Sequence, residues 1–229
     1  MSTSEKRREQ KKKDKLDRKI KFYLEKALLP IEFYRLLAQP LDIFDYYKKA
    51  TVSKVEKFLK DFWVVRQIPI DTDDYVADVL KATEGVKGFP GLFLGGNSHI
   101  GKTILASYII YRLIQEHALD FYKGCMMLNV PMFLDKLRPG RDSDTSLLDK
   151  ALEVDLLVLD DFGAEVLTPW VFERLYLIIN ERKNSLRPII YTSNLRFQDL
   201  AIALNALDPV AANRIVSRIE GTCTILTVK

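Results

Sequence analysis

The chain has 229 residues, 48% of them apolar, and a formal net charge of +4, enough for one α/β domain with a buried core plus an extension. No apolar run approaches the ~20 residues of a membrane span, the N-terminus has no apolar segment of signal type, and Cys125 and Cys223 have neither metal-ligand spacing nor a disulfide framework. A membrane protein, a secreted disulfide scaffold and a zinc module are set aside, and a reducing cytoplasm is the expected setting.

Residues 1–22 carry ten Lys or Arg against four acids, so the remainder of the chain is slightly acidic. With almost no apolar residue before Leu16, this run reads as a flexible tail or a helix that forms on a partner. Nucleic-acid phosphate, an acidic protein surface or plain solubilisation are its open readings. Residues 23–65 form a helical lead-in: Leu24, Leu28, Leu29, Ile31, Phe33, Tyr34 and Leu36 alternate with charges, and Val52–Trp63 reads as an amphipathic helix. Ile31–Leu41 is a candidate border of a base pocket, with core packing the alternative for any one residue. Residues 66–229 carry the nucleotide motifs.

Gly91–Gly95 reads as a short buried strand and Thr103–Ala118 as a helix, and between them lies Gly96-Asn97-Ser98-His99-Ile100-Gly101-Lys102-Thr103. This fits the phosphate-loop pattern G-x-x-x-x-G-K-[S/T] in its required context. Glycines let backbone N–H groups surround a phosphate, the helix N-terminus favours its charge, Lys102 reaches the β- and γ-phosphates, and Thr103 offers a hydroxyl to Mg²⁺. ATP and Mg²⁺ are the expected cofactors.

Cys125–Val130 reads as a second strand, 131–137 as a short helix, 138–144 as a polar loop and Ser146–Leu152 as a helix. Val154–Leu159 then runs an apolar strand into Asp160 and Asp161. In a Walker B arrangement Asp160 holds Mg²⁺ and Asp161 polarises the attacking water. Thr168-Pro169 opens a helix, Pro188–Thr192 is a fourth strand ending in Ser193-Asn194, Phe197–Asn205 and Val210–Ile219 are helical, and Thr222–Val228 is a last strand. Alternation of this kind predicts an α/β fold with a parallel five-stranded sheet covered by helices.

The phosphate loop, Leu159-Asp160-Asp161-Phe162-Gly163-Ala164-Glu165, Tyr191-Thr192-Ser193-Asn194 and Arg214-Ile215-Val216-Ser217-Arg218-Ile219 together resemble the AAA+ ATPases of bacterial replicative helicase loaders, the DnaC/DnaI type, and their transposition relative IstB. The resemblance covers about residues 30 to 229. It implies a P-loop NTPase of AAA+ type with little or no C-terminal lid, ATP binding and hydrolysis, and a role in loading the replicative DNA helicase. It makes Asn194 a sensor of the γ-phosphate or attacking water, Arg214 a finger inserted into a neighbouring subunit's nucleotide, and Arg218 a second candidate. It further implies self-association through that finger and contact with single-stranded DNA, for which Lys136, Arg138 and Arg141 are candidates, the basic tail adding salt-dependent affinity.

Glu165 has a capping role as its alternative. Two departures stand out: His99 occupies a position the family usually gives to glycine, which weakens the expectation of efficient hydrolysis, and the chain closes after its last strand. An IstB-like transposition helper ATPase and a catalytically weak nucleotide-binding adaptor for a replication partner are the competing readings. GTPase switches lack support without an N-K-x-D string, and transporter ATPases without L-S-G-G-Q.

Overall fold

The structure is a computed structural model and describes residues 3–37, 43–66, 81, 91–118, 120–121, 123–138, 145–165 and 168–229. Strands β1 (Gly91–Gly95), β2 (Cys125–Asn129), β3 (Leu156–Asp160), β4 (Ile189–Ser193) and β5 (Cys223–Thr227) form one sheet in the order β2-β3-β4-β1-β5. Every pairing is parallel, with Leu92 opposite Ile190, Phe93 opposite Ile225 and Asn129 opposite Asp160.

The helices in chain order are α1 (Thr3–Lys26), α2 (Ile31–Leu37), α3 (Lys49–Arg66), α4 (Lys102–His117), α5 (Val130–Leu137), α6 (Thr145–Glu153), α7 (Pro169–Asn184), α8 (Phe197–Asn205) and α9 (Pro209–Thr222). Helix α4 carries the chain from β1 to the edge strand β2, and the later helices bring it back across β3 and β4 to β5. Because parallel crossovers are right-handed, this reversal of direction assigns α4 to one face and α5–α9 to the other. The side chains follow with a period of two. Leu92, Leu94, Leu156, Val158 and Ile190 pack with α4, whereas Phe93, Leu157, Leu159 and Tyr191 pack with the other helices.

The lead-in completes the α4 face. Phe33 and Phe62 are fully buried, each worth about 2–3 kcal/mol of transfer free energy. Phe33 meets Tyr111 edge-on at 5.9 Å, Phe44 meets Tyr108 at 4.9 Å, and Trp63 stacks on His117 at 3.7 Å. Tyr23 donates its hydroxyl to the Phe121 carbonyl at 2.9 Å, and the Ala27 carbonyl accepts from Met127 N–H of the edge strand at 2.8 Å.

One expectation changes, and for one residue of a second the stated alternative applies. The boundary drawn at residue 22 falls inside α1: the basic run is helical, and Leu16, Ile20 and Leu24 pack against the same core as α4. Three apolar positions spaced along its second half are enough to dock a helix whose first half is all polar. Within Ile31–Leu41, Phe33 is a core residue and Ile31 is exposed, while 38–41 lie outside the described residues.

At the amino ends of the strands Arg182 of α7 is fully buried. Its guanidinium donates to the carbonyls of Ala151, Leu152, Val154 and Pro188 at 2.8 to 3.3 Å, tying the C-terminus of α6 to the entry of β4. Thr168 caps α7 by accepting from Val171 N–H, with Pro169 in the first turn. No described helix is long and apolar enough to cross a membrane.

Candidate functional site

The chain order reverses beside β1, so the carboxyl ends of β1, β3 and β4 open onto one crevice, the usual ligand position in such sheets. The phosphate-loop residues 96–103 lie there. Gly101 has φ +83°, and a Cβ on it would stand 2.6 Å from the Tyr47 hydroxyl, so glycine is required on both counts. His99 holds φ +62° with a full side chain, a conformation that costs non-glycine residues about 1 kcal/mol. Its imidazole is exposed, as are Asn97 and Ser98. Helix α4 starts at Gly101 with no side-chain cap, leaving first-turn N–H groups free to meet an anion.

Lys102 is only 6% exposed. Its Nζ donates to the Asn97 carbonyl at 2.6 Å and to Asn194 Oδ1 at 3.0 Å, so the cation already sits between the loop and the end of β4. Burial lowers its pKa, opposed by Asp161 and Asp160. A buried cation with one N–H still undirected suits a polyanionic ligand.

Asp160 ends β3 and accepts at Oδ1 from Thr103 Oγ1 at 2.8 Å and from Thr192 Oγ1 at 2.5 Å. Burial pushes its carboxyl above the ordinary aspartate range. A hydroxyl and a carboxylate in contact are the hard oxygen donors that Mg²⁺ prefers, so the residues fit that ion. The next residue, Asp161, turns the chain with φ +58°. Its N–H donates to Thr192 Oγ1 at 3.0 Å, and its Oδ2 accepts from Asn129 Nδ2 at 2.9 Å. One threonine hydroxyl thus fixes both acidic residues.

Lys102, Thr103, Asp160, Asp161 and Asn194 are therefore brought together. Arg214 and Arg218 lie elsewhere, on α9. Arg218 Nε donates to Asn180 Oδ1, one terminal nitrogen to the Tyr176 hydroxyl and the other to the Arg214 carbonyl, each at 2.9 Å. Its guanidinium also lies 4.5 Å from the centre of the Tyr176 ring. Arg214 is exposed, 6.0 Å from the same ring. Lys136 and Arg138 are exposed at the end of α5, and Arg141 lies outside the described residues. Glu165 accepts from Gly163 N–H at 2.9 Å within its own turn, and burial raises its pKa.

Three contributors were not singled out from sequence. Thr192 belongs to the T-S-N string, yet its bridging role needs the β3–β4 register. Asn129 caps α5 by accepting from Met132 N–H at 3.3 Å, and only the pairing of β2 with β3 turns its amide toward Asp161. Tyr47 donates to the Gly101 carbonyl at 2.8 Å from 54 residues upstream, with no motif to mark it.

No family model matches the chain. The replicative helicase loader DnaI of Bacillus subtilis (strain 168) is 28% identical to it over 129 residues, 55% of this chain and 40% of that protein; the match thus spans less than half of the relative. The crystal structure of DnaI aligns with a TM-score of 0.63 at 23% identity, covering 89% of this chain and 96% of the other. A putative primosome component from Streptococcus pyogenes serotype M3 aligns with a TM-score of 0.54 at 20% identity, covering 89% and 93%. The α/β fold with its parallel five-stranded sheet stands, and the chain is similar in sequence to the helicase loader DnaI.

Proposed function

We propose that this protein is a cytoplasmic AAA+ ATPase that loads the replicative DNA helicase. The observation that supports it most is the meeting of Lys102, Thr103, Asp160, Asp161 and Asn194 at the carboxyl ends of three adjacent strands, in a chain similar to DnaI.

In this reading the loop N–H groups and Lys102 hold the β- and γ-phosphates of ATP, while Thr103 and Asp160 hold Mg²⁺. Held by Thr103 and Asp160, such an ion would supply positive charge against the phosphates. Asp161 orients the attacking water through the carboxylate oxygen that Asn129 leaves free, and the Asn194 amide donates toward the γ-phosphate while its carbonyl keeps Lys102 in place. Arg214 reaches the nucleotide of a neighbouring copy, a contribution worth 10³ or more in rate. Arg218, tied to Tyr176 and Asn180, positions it. Nucleotide state then governs assembly around the helicase and single-stranded DNA, with Lys136 and Arg138 at the strand. A catalytically weak nucleotide-binding adaptor is the second reading, favoured by the strained His99; it predicts ATP binding without turnover even with DNA and helicase present.

The test is light scattering coupled to size exclusion on the protein mixed with its host's replicative helicase, with ATP and Mg²⁺, repeated with Lys102→Ala. A stoichiometric complex that changes with Lys102→Ala is expected. A helicase that elutes alone under every condition removes the loader reading.

A further inference from the structure

Helix α1 has two faces, and only one of them is used by the fold. At 3.6 residues per turn, Leu16, Ile20, Tyr23 and Leu24 share the side that packs on the core. Arg7, Arg8, Lys11, Lys12, Lys15 and Arg18 fall on the far side, within an arc of about 140°, and all six are exposed. The four acids of the same segment, Glu5, Glu9, Asp14 and Asp17, fall outside this arc. Among the described contacts within the helix, Asp14 is engaged by Gln10, and Arg18 uses its Nε on the Asp14 carbonyl, which leaves its terminal nitrogens for the stripe. In the middle of the same arc, one turn beyond Arg18, Phe22 is 53% exposed.

We propose that this face of α1 is a binding surface for single-stranded nucleic acid, its cations following the phosphodiester backbone and Phe22 stacking on a base. The proposal rests on the reading of single-stranded DNA as a partner and adds a surface separate from the end of α5. Three features select this occupant. From Arg7 to Arg18 the helix rises about 17 Å, so the stripe offers one cation per ~3 Å, a continuous line of charge for a phosphodiester backbone and sparser than the ~1.7 Å charge spacing of a duplex. Three of the six cations are lysines, which protein interfaces disfavour, and between Arg7 and Arg18 no apolar side chain lies among them to form a buried centre. A basic track ending in an exposed aromatic ring is the combination by which proteins hold single strands without reading sequence.

The experiment is fluorescence anisotropy of a labelled 30-nucleotide oligo(dT) against the full chain over a salt series, with duplex of equal length as a second probe. Lys11→Gln/Lys15→Gln is compared with Lys13→Gln/Lys21→Gln, which removes the same charge from outside the arc. The first pair is expected to weaken binding about tenfold or more near 100 mM salt and to flatten the logarithmic salt slope by about 1.4; the second is expected to change both far less. Phe22→Ala is expected to weaken binding about tenfold with the slope unchanged, since stacking releases no counterions. Circular dichroism and melting confirm that the variants fold. Equal losses in the two lysine pairs overturn the stripe and leave DNA as a partner; absence of binding by the parent overturns both. Tighter binding of duplex with the same stripe dependence overturns the single-strand assignment, and loss of helicase co-elution with unchanged oligo(dT) binding makes the face a protein surface.

Discussion

Lys102 and Arg182 are buried cations at opposite ends of the same strands, and neither forms an ion pair among the described residues. Arg182 spends its terminal nitrogens on four backbone carbonyls, groups that belong to a helix end and a strand entry, of which Leu152 also accepts from Arg187 and Pro188 from Leu157 N–H. Burial pushes its pKa down to about 9, yet the contacts hold the fold together. Lys102 is bonded to one carbonyl of a ligand loop and one side-chain amide, partners that a phosphate can share or replace. The difference teaches that burial alone does not mark a functional charge; what matters is whether its partners serve the chain's own closure or leave a direction open to a ligand.

The strongest test of this contrast exchanges both cations for the same neutral residue. Arg182→Met uncaps buried carbonyls, each costing about 1–3 kcal/mol, and is expected to lower the melting temperature by about 10 °C or to prevent folding. Lys102→Met is expected to leave the melting temperature within a few degrees while abolishing the stabilisation by ATP and Mg²⁺; scanning calorimetry with and without nucleotide reads both. Equal losses of stability in the two variants would break the comparison.

A smaller effect separates the carboxylate beside Lys102 from an ordinary structural acid. Burial makes Asp160 keep its proton to higher pH than an unfolded aspartate. The folded state therefore binds more protons within that window, and stability falls as pH rises from the unfolded value through the raised folded one. Asp160→Asn keeps an acceptor for both threonines and is expected to raise the nucleotide-free melting temperature at neutral pH, the gain vanishing in the acid range. A gain that persists at low pH would place its origin elsewhere. The smallest expected change is at His99, where His99→Gly relieves the left-handed backbone and adds at most about 1 kcal/mol, measured by denaturant unfolding; a loss of stability would show that the imidazole has a role of its own.

The legibility of the chain followed the range of the forces involved. Strand β1, helix α8 and the Thr168 cap of α7 are written in local pattern and chemistry, and their bounds or partners lie where the sequence puts them. Helix α1 reads from sequence as a tail or a helix in need of a partner because charge dominates its composition, whereas a few spaced apolar residues decide its docking. At the site, residues carrying motifs were readable. Asn129 and Tyr47 were not, because one acts through strand register and the other through a helical lead-in folded back onto α4.

The bond from the Ala27 carbonyl to Met127 N–H has a practical corollary. It occupies part of the outer border of β2, the kind of open strand edge through which sheets of separate molecules join. Tyr23, Phe33, Phe58 and Phe62 shield the neighbouring α4 face. A shortened protein begun after α3, the natural choice for isolating the ATPase portion, would bare that border and that apolar surface together. Such a fragment is expected to clump on expression, and its silence in an assay would say nothing about catalysis.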